Sequence, residues 1–319
     1  MRIVFWGTPE FATPALRALV GEGHDVVAVV TQPDRPRARG GRSRSTLDAS
    51  PVKQVAVEEG IAVLQPDRPR GEEFAASLRA LQPDVSVVVA YGHILPRDII
   101  ELPRLGTLNI HGSLLPLYRG AAPIQAAIRD GRTETGVSIM RMVPALDAGP
   151  VILSEATDIL PDETAGELQL RLAELGAEAI VEALALLDVG KAVETAQDVA
   201  AATYAPKVER DHARVDWNAP APQVGRLVRA YDPRPGAWTM LQGAELRLFG
   251  VRATPSAHGQ PGTILSAGDD GMLVACGSGA VRVTDVHPAG RKRQRAAEWI
   301  RGRAATIGDR LGHLVDQRG

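Results

Sequence analysis

The sequence predicts an α/β protein: a doubly wound, mostly parallel sheet followed by a smaller C-terminal β-barrel domain. In the first 160 residues, short β-rich runs alternate with amphipathic helical patterns, as in consecutive βαβ units. Several of these runs are continuously apolar, as strands are when helices cover both faces of a parallel sheet. Beyond residue 208, short strands are separated by closely spaced Gly, Pro and Asp residues, which is typical of a small barrel.

The elements of the first domain follow in order along the chain. The predicted strands are 2–6, 26–30, 85–89 and 106–110, with two later strands at 137–140 and 151–153 that are expected to be antiparallel. The predicted helices are 11–20, 51–59, 72–81 and a long helix over 163–187. Ser50 and Pro51 mark one helix start, because serine caps a helix N-terminus and proline is tolerated at the first helical position.

The second domain is predicted to begin after a linker. Residues 188–206 lack clear periodicity, and a helix at 224–231 follows them. The predicted strands of the second domain are 246–249, 262–265, 272–275 and 280–283. The sequence therefore predicts a first domain over 1–187, a linker over 188–207 and a second domain over 208–319.

Composition and charge narrow the class of protein. A 45% hydrophobic and 23% charged chain is ordinary for a soluble globular protein, and the single cysteine, Cys276, fits a reducing compartment and a half-buried apolar position. No secretory signal and no bilayer-length apolar run is visible, so we expect a cytoplasmic protein that does not bind membranes. We also expect a monomer, because no unexplained apolar surface stripe stands out.

The net charge of −2 conceals an asymmetry between the two parts of the chain. Residues 1–207 carry 20 Lys and Arg against 27 Asp and Glu, a balance of −7, whereas residues 208–319 carry 16 against 11, a balance of +5. A basic second part suggests a polyanionic partner, and a solvated charged surface is the alternative.

The strongest candidates for chemistry are Asn109, His111 and Asp147. Asn109 and His111 stand at the end of a predicted strand, where residues i and i+2 share a face. An amide donor beside an imidazole, with a carboxylate to orient the ring, suits acyl transfer by oxyanion stabilisation and proton movement. No activated serine or cysteine is evident, so we expect the nucleophile to arrive with the substrate.

Several cofactor classes are not expected. The first strand–helix turn contains only Gly7 followed by Thr8 and Pro9, which lacks the glycine fingerprint of an NAD or FAD site. No Gly-Lys-Ser phosphate loop is present. The seven histidines are scattered without metal-ligand spacing, so no metal site is expected.

Two basic segments suggest phosphate contacts. A loop poor in apolar residues carries five arginines, which are Arg35, Arg37, Arg39, Arg42 and Arg44. This loop is either a flexible solvated segment or a phosphate-binding flap beside the site. A second basic run contains Arg291, Lys292 and Arg293 and is either a solvated face or, beside a barrel-like domain, a nucleic-acid contact.

Two apolar loops closed by proline leave predicted strand ends. One contains Tyr91 and Gly92, and the other consists of Ser113, Leu114, Leu115 and Pro116. The two loops serve either packing alone or as the walls of a narrow slot for a flat heterocycle.

At these positions the sequence resembles the methionyl-tRNA formyltransferases, a group of folate-dependent formyltransferases. The resemblance is carried by FWGTPEF at 5–11, TQPDRP at 31–36, VAYG at 89–92, NIHGSLLP at 109–116, YRGAAPIQ at 118–125, ETGV at 134–137, LDAG at 146–149 and PGTI at 261–264. The Asn-x-His pattern with a later Asp is common to all folate-dependent formyltransferases and does not select the acceptor. The run at 118–125, the basic loop and the second domain are more selective and point to initiator methionyl-tRNA.

The resemblance implies a Rossmann-like first domain, an OB-like second domain, and formyl transfer from 10-formyltetrahydrofolate to the amino group of tRNA-bound methionine. Asn109, His111 and Asp147 align with the catalytic trio of the family, and 113–116 aligns with its folate-contacting loop. The loop over 35–44 corresponds to an insertion that enters the tRNA acceptor arm, although this chain carries only arginines where relatives often carry lysines. Two alternatives stay open: a formyltransferase for a purine-pathway amine or a nucleotide sugar, and a non-catalytic RNA-binding protein.

Overall fold

The computed structural model describes residues 1–36, 47–254, 256–302 and 304–312. The chain forms two compact units, and each is assembled from three segments. The first unit comprises Met1–Gly120, Thr135–Thr157 and Gln169–Tyr204, and the second comprises Ala121–Glu134, Asp158–Leu168 and Ala205–Gly319. The predicted boundaries at 187 and 208 follow chain order instead, and they stay a prediction.

The described residues in the first half of the chain contain nine strands. They are β1 (Arg2–Gly7), β2 (Asp25–Val30), β3 (Arg35–Pro36), β4 (Leu47–Asp48), β5 (Val63–Leu64), β6 (Val85–Val89), β7 (Thr107–His111), β8 (Glu134–Arg141) and β9 (Val151–Asp158). Seven of them form one sheet in the order β5-β2-β1-β6-β7-β8-β9, and β3 pairs with β4. Neighbours from β5 to β7 are parallel, and β8 is antiparallel to β7. The predicted doubly wound, mostly parallel sheet is confirmed.

The helices show where the predicted boundaries were accurate and where they were not. They are α1 (Thr13–Gly21), α2 (Pro51–Glu58), α3 (Glu72–Ala80), α4 (Arg97–Ile100), α5 (Pro123–Arg129), α6 (Ala165–Asp188), α7 (Ala221–Ala230) and α8 (Ala296–Arg301). Ser50 caps α2 as predicted, since its Oγ accepts a hydrogen bond from the Lys53 backbone N–H at 3.1 Å. The first helix begins later than predicted, because Glu10–Ala12 forms a 3-10 turn and Pro14 occupies the first turn of α1.

The second unit contains an antiparallel sheet. Its strands are β10 (Ala237–Leu241), β11 (Ala244–Thr254), β12 (Ile264–Gly268), β13 (Gly271–Ala275), β14 (Ala280–Pro288) and β15 (Gln294–Arg295). The order is β10-β11-β14-β13-β12, and β15 pairs with β14. Among the described residues, the edge strands β10 and β12 are not hydrogen-bonded to each other, so the sheet is compatible with an OB-like domain without being a closed barrel.

Of the predicted strands of the second unit, 246–249 lies within the longer β11 and 280–283 is the first part of the longer β14, and β10 was missed. Buried apolar side chains from the sheet, together with Trp217 and Trp299, form the core of this unit. Cys276 lies in this core and is more deeply buried than the half-buried position predicted for it. None of the helices in the described part of the chain combines the length and apolar character that crossing a bilayer requires.

The segment predicted as a linker runs along the first unit. The backbones of Val151 and Thr195 hydrogen-bond to each other in both directions at 2.9 Å, and the Arg119 backbone N–H donates to the Thr203 carbonyl oxygen at 2.9 Å. These contacts bring residues near 197 to the loops that follow β7 and β8. The hydrophobic periodicity of the sequence did not predict this packing, because the segment is held by isolated backbone hydrogen bonds and forms no long regular element.

Candidate active site

Asn109 and His111 lie on the same face of β7, near its carboxyl end. β7 pairs in parallel with β6, where Asn109 stands opposite Val88, and antiparallel with β8, where His111 stands opposite Ser138. Asn109 is partly exposed, and its side-chain amide has no hydrogen-bond partner among the described residues. The amide is therefore free to donate to a ligand.

His111 is buried, with only 5% of the residue exposed, and one of its nitrogens has a defined partner. Its Nε2 lies 2.9 Å from the Tyr118 backbone carbonyl oxygen. Because a carbonyl oxygen only accepts hydrogen bonds, Nε2 must carry the proton. In the neutral ring, Nδ1 is then unprotonated and able to accept a proton.

Asp147 faces the unprotonated nitrogen of His111. Its Oδ2 lies 3.8 Å from His111 Nδ1, which is too long for a direct hydrogen bond but close enough for a strong charge interaction once the ring is protonated. The same oxygen accepts a hydrogen bond from the Gly120 backbone N–H at 2.7 Å. The carboxylate is thus held beside the ring by the loop that follows β7.

The surroundings of His111 lower its pKa below the ordinary value of 6.5. Burial is the largest cause, because it disfavours the charged imidazolium. The Asp147 carboxylate and the Tyr118 carbonyl act in the opposite direction without cancelling it. The ring is therefore neutral at pH 7 and available as a base.

The loop 113–116 is held in place by hydrogen bonds. Ser113 Oγ donates to the Leu117 carbonyl oxygen at 2.6 Å, and the peptide between Leu115 and Pro116 is cis. Ser138 Oγ, on β8, donates to the Ser113 carbonyl oxygen at 2.8 Å and accepts from the Leu115 N–H at 3.0 Å. The Ser113 hydroxyl, predicted to contact folate, is engaged within the loop. Its assignment and those of Leu114, Leu115 and Pro116 stay predictions.

The other predicted slot residues play different parts. Tyr91 is buried, and its ring packs edge-on against Trp6 with the centroids 5.2 Å apart. Its hydroxyl has no hydrogen-bond partner in the described part of the chain, and burial raises its pKa to about 12. Tyr91 therefore lies beneath the surface of its loop, whereas Gly92 is exposed and in the left-handed region at φ 93°. The assignment of both residues to a folate slot stays a prediction.

Two exposed apolar side chains lie on the loops that follow β6 and β8. Ile94 follows Gly92 by two residues and is 85% exposed, and Leu146, which precedes Asp147, is 56% exposed. Leu114 and Leu115 are half-buried. Apolar side chains of this kind are typical lining residues of small-molecule sites.

Two residues that support the site were not predicted. Ser138 holds the loop 113–116, and Gln197 bonds to the backbone of the Asp147 loop. The pairing of Ser138 with His111 in neighbouring strands was not readable from a single sequence, because strand register depends on tertiary structure. Gln197 lies in the segment without periodicity and carries no local signal.

The predicted basic residues divide into three groups. Arg37, Arg39, Arg42 and Arg44 lie outside the described residues, and only the backbone of Arg35 is described. Arg291 and Lys292 are exposed and form no ion pair with any residue that the structure describes. Arg293 instead pairs with Asp232 at 3.4 Å and stacks over the Phe249 ring at 4.3 Å, so part of its charge is used within the second unit.

Other reactive groups do not compete with this constellation. Burial raises the pKa of the Cys276 thiol to about 11, so it is not an activated nucleophile. In the described part of the chain, no group of three or more His, Cys, Asp and Glu residues is placed to hold a metal ion.

Comparison with known proteins agrees with this geometry. The formyl transferase family model matches residues 1–184, and the model of the formyl transferase C-terminal domain matches residues 207–304. The chain is 48% identical over 311 residues to a methionyl-tRNA formyltransferase from Aromatoleum aromaticum, a match that covers 98% of this chain and 97% of the relative. It is 46% identical to a methionyl-tRNA formyltransferase from Geobacter metallireducens, with 98% and 99% of the two chains covered.

Among solved structures, HypX from Aquifex aeolicus in complex with tetrahydrofolic acid shares the fold. The TM-score is 0.68 at 22% identity, over 97% of this chain and 48% of HypX, so this chain spans about half the length of that protein. The match to the family model over residues 1–184 and the close relatives of equal length decide the classification. The chain belongs to the formyl transferase family.

Proposed function

We propose that this protein transfers the formyl group of 10-formyltetrahydrofolate to the amino group of methionine on initiator methionyl-tRNA. The observation that carries this proposal is the 45–48% identity to eight methionyl-tRNA formyltransferases over at least 95% of this chain. The basic balance of residues 208–319 supports a polyanionic acceptor, which a small amine substrate would not require. Aminoacylated tRNA is used in the cytoplasm, and we propose that the protein acts there. We also propose that it acts as a monomer.

In this proposal, Asn109 stabilises the transition state. The folate supplies an electrophilic formyl carbon and a leaving nitrogen when it is bound. As the methionyl amine attacks that carbon, the formyl oxygen gains negative charge. The free Asn109 amide donates a hydrogen bond to that oxygen, and loss of such a donor typically costs about 2.7–4 kcal/mol of transition-state stabilisation.

His111 and Asp147 move the proton. His111 Nδ1 accepts the proton of the attacking amine, and the Asp147 carboxylate stabilises the imidazolium that results. The same Nδ1–H then donates to the leaving nitrogen, directly or through a water molecule. General acid–base catalysis of this kind contributes roughly 10²–10⁴-fold to the rate.

The direct test is to incubate the protein with 10-formyltetrahydrofolate and methionyl-tRNA and to measure formylated aminoacyl-tRNA.

We expect Asn109→Ala to lower kcat by about 10²–10³-fold and His111→Ala by roughly 10²–10⁴-fold, with tRNA affinity unchanged. His24→Ala is the matched control. His24 directly precedes β2 and lies at the amino end of the parallel strands, whereas His111 lies at their carboxyl end. Absence of formylated product, or equal use of a free small amine, would refute the proposed acceptor. Parallel losses of tRNA affinity and turnover in the Asn109→Ala and His111→Ala variants would refute the catalytic roles proposed for these two residues.

Asp147 has a second measurable effect, on the titration of His111. Because the Asp147 carboxylate raises the His111 pKa against the effect of burial, Asp147→Asn should lower that pKa further. The imidazole titration can be followed by NMR, with the His111 signal assigned by its absence in His111→Ala and the His24 signal as an internal control. A pKa that rises or stays constant in Asp147→Asn would contradict the charge interaction.

The basic segment over 35–44 leads to a prediction about the salt dependence of tRNA binding. If Arg39 and Arg42 contact tRNA phosphates, replacing both with Gln should weaken tRNA binding and reduce the slope of log affinity against log salt by about one for each lost contact. Folate affinity should not change. Arg17→Gln is the control, because Arg17 pairs with Glu58 at 2.7 Å. If the slope of log affinity against log salt is unchanged in the double variant, Arg39 and Arg42 do not contact tRNA phosphates.

A further inference from the structure

Asp147 has a backbone conformation that other contacts must maintain. Its φ is 46°, in the left-handed region that residues other than glycine rarely adopt and that persists only where the surroundings impose it. Gly149 lies so close to the Arg141 carbonyl that a Cβ there would clash with it. The loop is therefore pressed against the end of β8, and a specific contact is needed to hold its other side.

Gln197 supplies that contact. Its Nε2 donates to the Asp147 carbonyl oxygen at 2.8 Å and to the Gly149 carbonyl oxygen at 2.7 Å. A single amide group therefore uses both of its hydrogens to hold the backbone carbonyls of the two residues on either side of Ala148. Gln197 is 50 residues from Asp147 in the sequence, so the clamp is a tertiary contact and not part of the turn.

Arg119 fixes the orientation of Gln197. Arg119 is 4% exposed, and its Nη2 and Nε donate to Gln197 Oε1 at 2.8 and 3.1 Å. Since a guanidinium cannot accept and a carbonyl cannot donate, the amide can satisfy its neighbours in one orientation only. The next residue, Gly120, donates its N–H to the Asp147 carboxylate, so Arg119 and Gly120 together hold both the backbone and the side chain of Asp147.

We infer that Gln197, oriented by Arg119, is a positioning residue that sets the distance between the Asp147 carboxylate and His111. This inference rests on the proposed function, in which Asp147 stabilises protonated His111. At 3.8 Å the two groups interact through charge and not through a direct hydrogen bond, so nothing between them fixes their separation. The separation is fixed from outside the pair, by the Gly120 N–H that holds the carboxylate and by the backbone of the Asp147 loop, and Gln197 holds that backbone.

The test is a double-mutant cycle between Gln197→Ala and Asp147→Asn. Gln197→Ala alone should lower kcat by about 10- to 100-fold, as misplacement of a catalytic group does, with KM for folate and tRNA unchanged. It should also lower the NMR-measured pKa of His111, because the carboxylate then stabilises the imidazolium less. In the Asp147→Asn background, Gln197→Ala should change neither kcat nor that pKa.

Gln197→Glu is the second variant, and it covers the case in which Gln197→Ala does not fold. A glutamate still accepts from Arg119 but cannot donate to the two carbonyl oxygens, so it should lose as much activity as Gln197→Ala. Gln54→Ala is the matched control, because Gln54 also donates to a backbone carbonyl, that of Ala49, and lies on α2. Its kcat and its His111 pKa should equal those of the wild type.

The outcomes separate the two claims. Equal losses of kcat from Gln197→Ala in both backgrounds, or a fall in melting temperature with kcat and the His111 pKa unchanged, would overturn the positioning role. Wild-type activity in Gln197→Glu would overturn it as well. Wild-type kcat in Asp147→Asn would instead overturn the proposed role of Asp147.

Discussion

The hydrogen bond from His111 Nε2 to the Tyr118 carbonyl oxygen is the interaction on which the chemistry at this sheet edge depends. It places the proton of the neutral ring on the nitrogen away from Asp147, and it leaves Nδ1 as the base. Tyr118 itself has a left-handed backbone, with φ at 59°. The loop after β7 therefore contains a residue, Tyr118, in an unfavourable backbone conformation. The carbonyl oxygen of that same residue selects the tautomer of His111.

Burial and charge act on His111 in opposite senses, and both are needed. Burial keeps the ring neutral, so that it accepts a proton at physiological pH, while Asp147 prevents the imidazolium from becoming too unstable to form. Asn109, two residues earlier in the strand, has no hydrogen-bond partner among the residues that the structure describes, and its amide can donate to the oxygen of the reacting group. A rigid strand thus carries the two groups that touch the reactants, and loops carry the groups that orient them.

The strand periodicity was sufficient to predict that Asn109 and His111 share a face, because alternation is a local property of a strand. Continuous apolar runs predicted the parallel strands for the same reason, and the capping of α2 by Ser50 was readable from adjacent residues. Ser138 and Gln197 were missed because their partners are distant in sequence. Apart from the side chains of Ser154 and Arg119, those partners are backbone groups, which leave no mark on the residue types around them. Arg293 lies in a run of basic residues, but its pairing with Asp232 depends on a fold that composition does not describe.

The tautomer of neutral His111 is the most direct test of this mechanism, and it can be read from the ¹⁵N chemical shifts and proton couplings of the two ring nitrogens. The structure requires the proton on Nε2, with Nδ1 showing the shift of an unprotonated nitrogen that moves only when the ring is titrated. A neutral ring protonated on Nδ1 would mean that the nitrogen facing Asp147 cannot act as the base, and it would contradict the mechanism.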